Sequence, residues 1–110
     1  MLEGQRVRLV LERVTTELKG TVIVVRGLVA EESETILQID GRLYQQMLDE
    51  SGDVIERPIG AENKMFLIPV GSIRYGEIIL PGTAEEELDQ KIRLLKPLGK
   101  GEIVRKGGLA

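Results

Sequence analysis

The chain begins with an alternation of apolar and polar side chains that is typical of a half-buried β-strand. Between residues 5 and 13, the side chains of Val7, Leu9 and Leu11 lie on one face and mostly charged side chains lie on the other. A period of two with one charged face indicates a strand that packs one side against a core. We therefore predict that these three residues belong to the hydrophobic core.

Short apolar segments separated by glycine-containing turns continue as far as Leu80 and predict four further strands. The predicted strands are residues 21–30, 35–40, 54–69 with a pause at 60–63, and 72–80. Residues 31–34 are predicted to form a loop, Gly41 to interrupt strand 3, and residues 51–53 to form a hairpin tip. Tyr44, which stands beside two glutamines, is expected to be half exposed to solvent.

Strands 4 and 5 are separated by a corner of four residues, Pro69, Val70, Gly71 and Ser72. A corner this short lets one bent sheet fold back on itself, as the sheets of small β-barrels do. Gly71 either supplies the backbone angles of the corner or presents its amide to a ligand.

After the predicted sheet, Thr83 and Glu86 form a capping-box sequence that predicts a helix over residues 84–96. Its apolar stripe consists of Leu88, Ile92 and Leu95. The stripe must pack on the chain's own sheet or on a neighbouring subunit. We therefore divide the chain into a β domain, residues 1–82, and a C-terminal helix with a basic tail, residues 83–110.

The composition restricts the chemistry of the chain. It contains no cysteine and no histidine, which excludes thiol nucleophiles, the usual zinc sites and Ser-His-Asp triads. No catalytic arrangement of the remaining residue types is recognisable, so we expect neither an enzyme nor a cofactor. The absence of a signal sequence and of a long apolar run predicts a cytoplasmic protein with no membrane partner.

Glu31, Glu32 and Glu34 either line a cation site or form a solvated loop, and we expect the loop.

Several of these segments together resemble the signatures of Sm-like proteins. VRLVL at 7–11, LKGTVIVVRG at 18–27 and ILQID at 36–40 are similar to the first signature, and MFLIPVGSIRYGEIIL at 65–80 is similar to the second. The resemblance implies a mainly β fold: a five-stranded, strongly bent Sm-like or SH3-like small barrel, here with a C-terminal α-helix. It also implies a homo-oligomeric ring in which strand 4 of one subunit pairs with strand 5 of the next. The candidate interface residues are then Met65, Leu67, Ile73, Tyr75 and Ile79.

Many rings of this family bind uridine-rich or adenine-rich RNA near the central pore. The family's pocket uses an aspartate and an asparagine after strand 2 and an Arg-Gly pair at the corner, whereas this chain has EESE at 31–34 and PVGS at 69–72. The net charge of −3 also disfavours phosphate. The candidate nucleic-acid-binding residues are Ser33, Gly71, Ser72, Arg74 and, in the basic tail, Lys100, Arg105 and Lys106.

Two functions and two assemblies remain open at this point. The first function is an RNA-associated ring scaffold that contacts RNA through its basic tail. The second is an assembly or adaptor module that binds no nucleic acid. The alternative to a ring is an SH3-like barrel or β-roll that acts as a monomer or dimer.

Overall fold

The computed structural model describes residues 1–12 and 22–96 of the chain. The elements in chain order are β1 (Arg6–Leu11), β2 (Val22–Glu32), β3 (Ile36–Leu48), β4 (Val54–Pro69), a 3₁₀ turn (Val70–Ser72), β5 (Ile73–Ile78) and α1 (Ala84–Arg93). The predicted mainly β fold with a C-terminal helix is confirmed.

The five strands form one antiparallel sheet in the order β4-β3-β2-β1-β5. β4 and β5 are therefore its two edges. Within residues 1–12 and 22–96 no ladder joins these edges, so the sheet is not closed into a barrel. The predicted barrel is not formed within the chain, because closure requires the two edge strands to pair with each other.

One face of the sheet carries the main hydrophobic core. Val7, Leu9 and Leu11 of β1 are at most 7% exposed, which confirms the prediction from the alternating pattern. The other buried members of this cluster are Ile23, Val25, Val29, Leu37, Ile39 and Ile68. Because side chains alternate along a strand, the residues between these core positions lie on the second face of the sheet.

Helix α1 covers part of the second face. Ile92 packs there against Val24 and Tyr44, and all three side chains are buried. The apolar stripe of the helix therefore rests on the chain's own sheet, although Leu88 remains 53% exposed. The expectation that Tyr44 is half exposed is wrong, because the helix packs over it.

A close approach of two glycines joins β2 to β3. Gly27 stands opposite Gly41 in the register, and a Cβ atom on Gly27 would lie 2.7 Å from the Gly41 Cα atom. A Cβ atom on Gly41 would overlap the carbonyl oxygen of Arg26. Only glycine fits such a close backbone approach. β3 continues through Gly41, so the predicted interruption of this strand is wrong.

The predicted pause in β4 is present as a four-residue bulge in its pairing with β3. Leu43 pairs with Ile59 and Gly41 pairs with Lys64, so residues 60–63 stand opposite Arg42 alone. Gly60 has a φ of 78°, which a side chain would strain. The bulge changes the pairing within β4 without ending the strand.

Several predicted boundaries shift by a few residues. Glu31 and Glu32 belong to β2 rather than to the following loop, because they pair with β3. α1 ends at Arg93, three residues before the predicted end at Lys96. At its start, Thr83 Oγ1 accepts a hydrogen bond from the Glu86 amide and the Glu86 carboxylate accepts one from the Gly82 amide. The threonine half of the capping box is therefore present, whereas Glu86 reaches back one residue further, to the amide before the N-cap.

We expect the substitution G41A to lower the free energy of unfolding by about 3 kcal/mol, the upper end for an overpacked site, because its Cβ atom meets backbone that cannot move aside. The control is G71A, since nothing lies within 4 Å of a Cβ atom on Gly71. Urea denaturation followed by circular dichroism measures both variants. Equal stability of the two variants would contradict the close approach of β2 and β3.

Candidate functional site

The structure brings two of the predicted RNA-binding segments together. The loop that holds Ser33 lies beside the turn that holds Gly71 and Ser72, because the Val70 amide donates a hydrogen bond of 2.8 Å to the Thr35 carbonyl. The adjoining strands pair at Ile36 and Pro69. Ser33, Gly71 and Ser72 therefore lie at one end of the sheet.

The two serine hydroxyls at this end hold their own turns. Ser33 Oγ donates a hydrogen bond to the Ile36 carbonyl and accepts one from the Ile36 amide. Ser72 Oγ donates a hydrogen bond of 2.7 Å to the Pro69 carbonyl. Gly71 does not have a positive φ, so its backbone angles do not require glycine. These contacts give both serines a local structural role.

Carboxylates surround an apolar groove beside these turns. The groove has a volume of about 600 Å³ and includes Glu32, Glu34 and Glu77 among its lining residues. The carboxylates would repel the phosphates of a nucleic acid. Glu32 accepts a hydrogen bond from the Leu2 amide, and Glu31, which does not line the groove, accepts one from the Gln38 side chain. In the part of the chain that the structure describes, no group of three such ligands could hold a metal ion.

The predicted interface residues divide into exposed and buried ones. Met65 and Leu67 on β4 are 54% and 63% exposed, and Tyr75 on β5 is 54% exposed. Ile73 packs against the main core, and Ile79, just after β5, is buried within its own chain. The first three side chains are therefore accessible to a neighbouring subunit.

The remaining predicted RNA contacts are basic residues. Arg74 is exposed on β5, the strand that also carries Tyr75. Lys100, Arg105 and Lys106 lie outside the described residues, so the predicted contact of the tail with RNA stays a prediction.

A buried ionic cluster beneath α1 was not predicted from the sequence. Arg26 Nε donates a hydrogen bond of 2.8 Å to Glu56 Oε1, and Arg26 Nη1 donates one of 2.8 Å to Asp89 Oδ1. Arg8 Nη2 donates a further hydrogen bond of 2.7 Å to Glu56 Oε2. Arg26 is only 4% exposed and Asp89 is fully buried. The cluster therefore links β1, β2 and β4 to the helix.

Mutual hydrogen bonding keeps Arg26 and Glu56 charged despite their burial. Burial by itself raises the pKa of Glu56, but hydrogen bonds from Arg26 and Arg8 outweigh it and hold the pKa below its ordinary value. Burial likewise opposes the charge on Arg26, and the hydrogen bonds to Glu56 and Asp89 nevertheless raise its pKa. Glu56 and Arg26 are thus both ionised at neutral pH.

One sequence signal could have located this cluster in part. Arg26 is a charge within an otherwise apolar run, and in the register it stands directly between Arg8 and Arg42 on the neighbouring strands. A buried arginine requires a carboxylate partner, which the strand pattern does not identify. Glu56 and Asp89 are 30 and 63 residues away along the chain.

The described part of the chain contains no helix with the length and apolar character needed to span a membrane. In comparisons with known proteins, no family model, no curated protein and no solved structure matches this chain.

We expect E56Q to lower the free energy of unfolding near neutral pH by about 3–5 kcal/mol, because it leaves two guanidinium groups without their shared carboxylate. The folded-state pKa of Glu56 lies below its ordinary value of 4.5. Its contribution is therefore fully present above about pH 4.5 and is lost as the pH falls through the lower folded-state pKa. The difference between wild type and E56Q should thus shrink in acid.

Urea denaturation over a pH series measures this difference. The matched control is E50Q, which removes an exposed carboxylate near the hairpin tip. Equal destabilisation by E56Q and E50Q, or a difference between wild type and E56Q that persists unchanged in acid, would contradict a stabilising buried carboxylate.

Proposed function

We propose that this chain is a binding subunit rather than an enzyme, and that copies assemble into a homo-oligomeric, Sm-like ring. In the ring, β4 of one subunit pairs with β5 of the next. The observation that carries the proposal is the open sheet, whose two edge strands both present exposed apolar side chains. The role of the assembly is that of a scaffold or adaptor.

The second half of β4 has the features of an edge that is covered in the assembled protein. An exposed edge presents unpaired amide and carbonyl groups, and monomeric proteins usually protect it with charges, prolines or bulges. The first half of β4 contains Glu56, Arg57 and Pro58, but residues 65–68 are all apolar. Residues 65–68 therefore form a short apolar stretch of edge, flanked by Lys64 and Pro69, that a second strand would cover.

The second half of β4 and the shorter strand β5 match in the character of their faces. β5 has six residues, the same number as the stretch 64–69. Leu67 and Tyr75 both lie on the face opposite the main core, since they stand opposite Gln38 and Val10 in the register. Phe66 and Ile78 lie on the core face. Pairing of the two edges would therefore continue both faces of the sheet with apolar cross-strand contacts.

Pairing two different edges is a head-to-tail contact, which forms a ring if the rotation closes and a filament if it does not. A closed ring leaves no edge exposed. We therefore propose closure, in agreement with the Sm-like resemblance. The small-barrel geometry that the resemblance implies would then be completed by the neighbouring subunit.

RNA association is the second candidate function. It is favoured by the proximity of Ser33 to Gly71 and Ser72, the arrangement that the resemblance implies. The serine hydroxyls are already hydrogen-bonded locally and carboxylates lie close by, so an RNA contact would depend on the basic tail. Retention of uridine-rich RNA by the assembled protein at low salt, with loss at high salt, would favour this candidate.

We expect light scattering on a size-exclusion column to give a closed assembly of about five to seven wild-type subunits. L67K and Y75K each place a lysine on one of the two edges and should produce monomers, because a charge on an edge strand opposes pairing. Both side chains are exposed in the single chain, so the thermal unfolding of the monomer should change little.

The matched control is L48K, since Leu48 is 64% exposed but lies at the hairpin end of β3. This variant should assemble like the wild type. A monomeric wild type, or equal dissociation of L48K and L67K, would contradict assembly through these edges.

A further inference from the structure

A polar pocket beside the last turn of α1 is lined by arginines from four different elements. Its volume is about 270 Å³, and the arginines are Arg6 of β1, Arg26 of β2, Arg42 of β3 and Arg93 of α1. It lies on the helix-covered face of the sheet, away from the groove beside Ser33. Neither the edge strands nor the predicted RNA contacts account for it.

Three of these arginines share a single carboxylate. Asp89 Oδ1 accepts a hydrogen bond from Arg26, and Asp89 Oδ2 lies 3.2 Å from Arg93 Nε and 3.9 Å from Arg6 Nε. Asp89 is fully buried, whereas the side chains of Arg6 and Arg93 are 24% and 39% exposed. The fixed carboxylate thus holds two partly exposed guanidinium groups at the wall of the pocket.

The guanidinium groups of Arg6 and Arg93 have unused hydrogen-bonding capacity. Within residues 1–12 and 22–96, both groups form ion pairs with Asp89, but the buried Arg93 Nε, 3.2 Å from Asp89 Oδ2, does not have the geometry of a hydrogen bond. Each guanidinium has five N–H donors in a planar fork that matches the oxygens of an anion. One shared carboxylate cannot accept hydrogen bonds from all the donors of both guanidinium groups.

We propose that this pocket binds a phosphate group through Arg6 and Arg93. One guanidinium group can bind both oxygens of a carboxylate. Two guanidinium groups that approach from different elements suit a phosphate, whose oxygens point in four directions. The volume falls just below the roughly 300–1,000 Å³ of pockets for drug-sized ligands, so the ligand is small. Inorganic phosphate and a small phosphate monoester both have this chemistry.

Three features oppose an anion at this position, namely the Asp89 carboxylate that three of the arginines share, the end of the helix and Asp40, and the four arginines outweigh them. The C-terminal end of a helix carries only about half an elementary negative charge. Asp40, which also lines the pocket, is exposed and its charge is therefore screened by solvent. The guanidinium groups carry full charges and stand partly out of solvent, where electrostatic interactions are stronger.

The test is isothermal titration of the wild-type protein with inorganic phosphate, in a phosphate-free buffer at constant ionic strength. We expect saturable binding of one phosphate per chain. R6Q and R93Q should each weaken the affinity by about tenfold, the effect of losing one charge-assisted interaction. The matched control is K91Q, which removes an exposed charge from the same helix and should bind phosphate as the wild type does.

Further arms of the experiment distinguish the sources of the phosphate and guard against unfolding. Tighter binding of adenosine monophosphate than of inorganic phosphate would identify a monoester site, and the reverse would identify a site for free phosphate. If R93Q loses its circular dichroism signal, R6Q and the conservative variant R93K replace it.

The absence of saturable phosphate binding by the wild type, or equal weakening in K91Q, would overturn the proposal. Binding of RNA without binding of phosphate would also overturn it. None of these outcomes depends on the proposed ring, because a monomer contains the complete pocket.

Discussion

The attachment of helix α1 to the sheet depends on the buried ion pairs of Arg26 with Glu56 and Asp89. Burying these charges is costly unless every one of them is paired and hydrogen-bonded. The fully buried Asp89 accepts a hydrogen bond from Arg26, so this pair anchors the helix to β2. The apolar contact of Ile92 with Val24 and Tyr44 also stabilises the helix on the sheet. The same carboxylate of Asp89 holds Arg6 and Arg93 at the wall of the adjacent pocket.

The helix also determines which parts of the sheet are left for other contacts. It covers the second face over Val24 and Tyr44, while the main core occupies the first face. The two edge strands remain uncovered among the described residues. The close approach of Gly27 and Gly41 joins β2 and β3 in the middle of the sheet, so it connects the half that ends at β4 to the half that ends at β5. The proposed assembly through the edges and the proposed phosphate site beside the end of the helix therefore involve separate parts of one subunit.

Local patterns in the sequence predicted the strands well, whereas contacts between distant residues were not predictable. The alternation of Val7, Leu9 and Leu11 identified core positions because a strand's period of two depends only on neighbouring residues. The capping interaction of Thr83 with Glu86 is local for the same reason. The burial of Tyr44 depends on a helix some 40 residues later, and the partners of Arg26 lie on β4 and α1, so neither was encoded in a local pattern. The sequence also indicated strands that could form a barrel, but whether edge strands pair within one chain or between chains depends on global geometry.

Site-specific crosslinking tests the proposed assembly most directly, because the natural chain contains no cysteine. The double variant L67C/Y75C places one thiol on each edge strand, and a short bismaleimide reagent joins thiols that come close together. The account predicts a ladder of covalent multimers that ends at the size of the closed ring, while L67C or Y75C alone gives no ladder. Crosslinks that form only within single chains, or a double variant that behaves like the two single variants, would contradict the pairing of β4 with β5 between subunits.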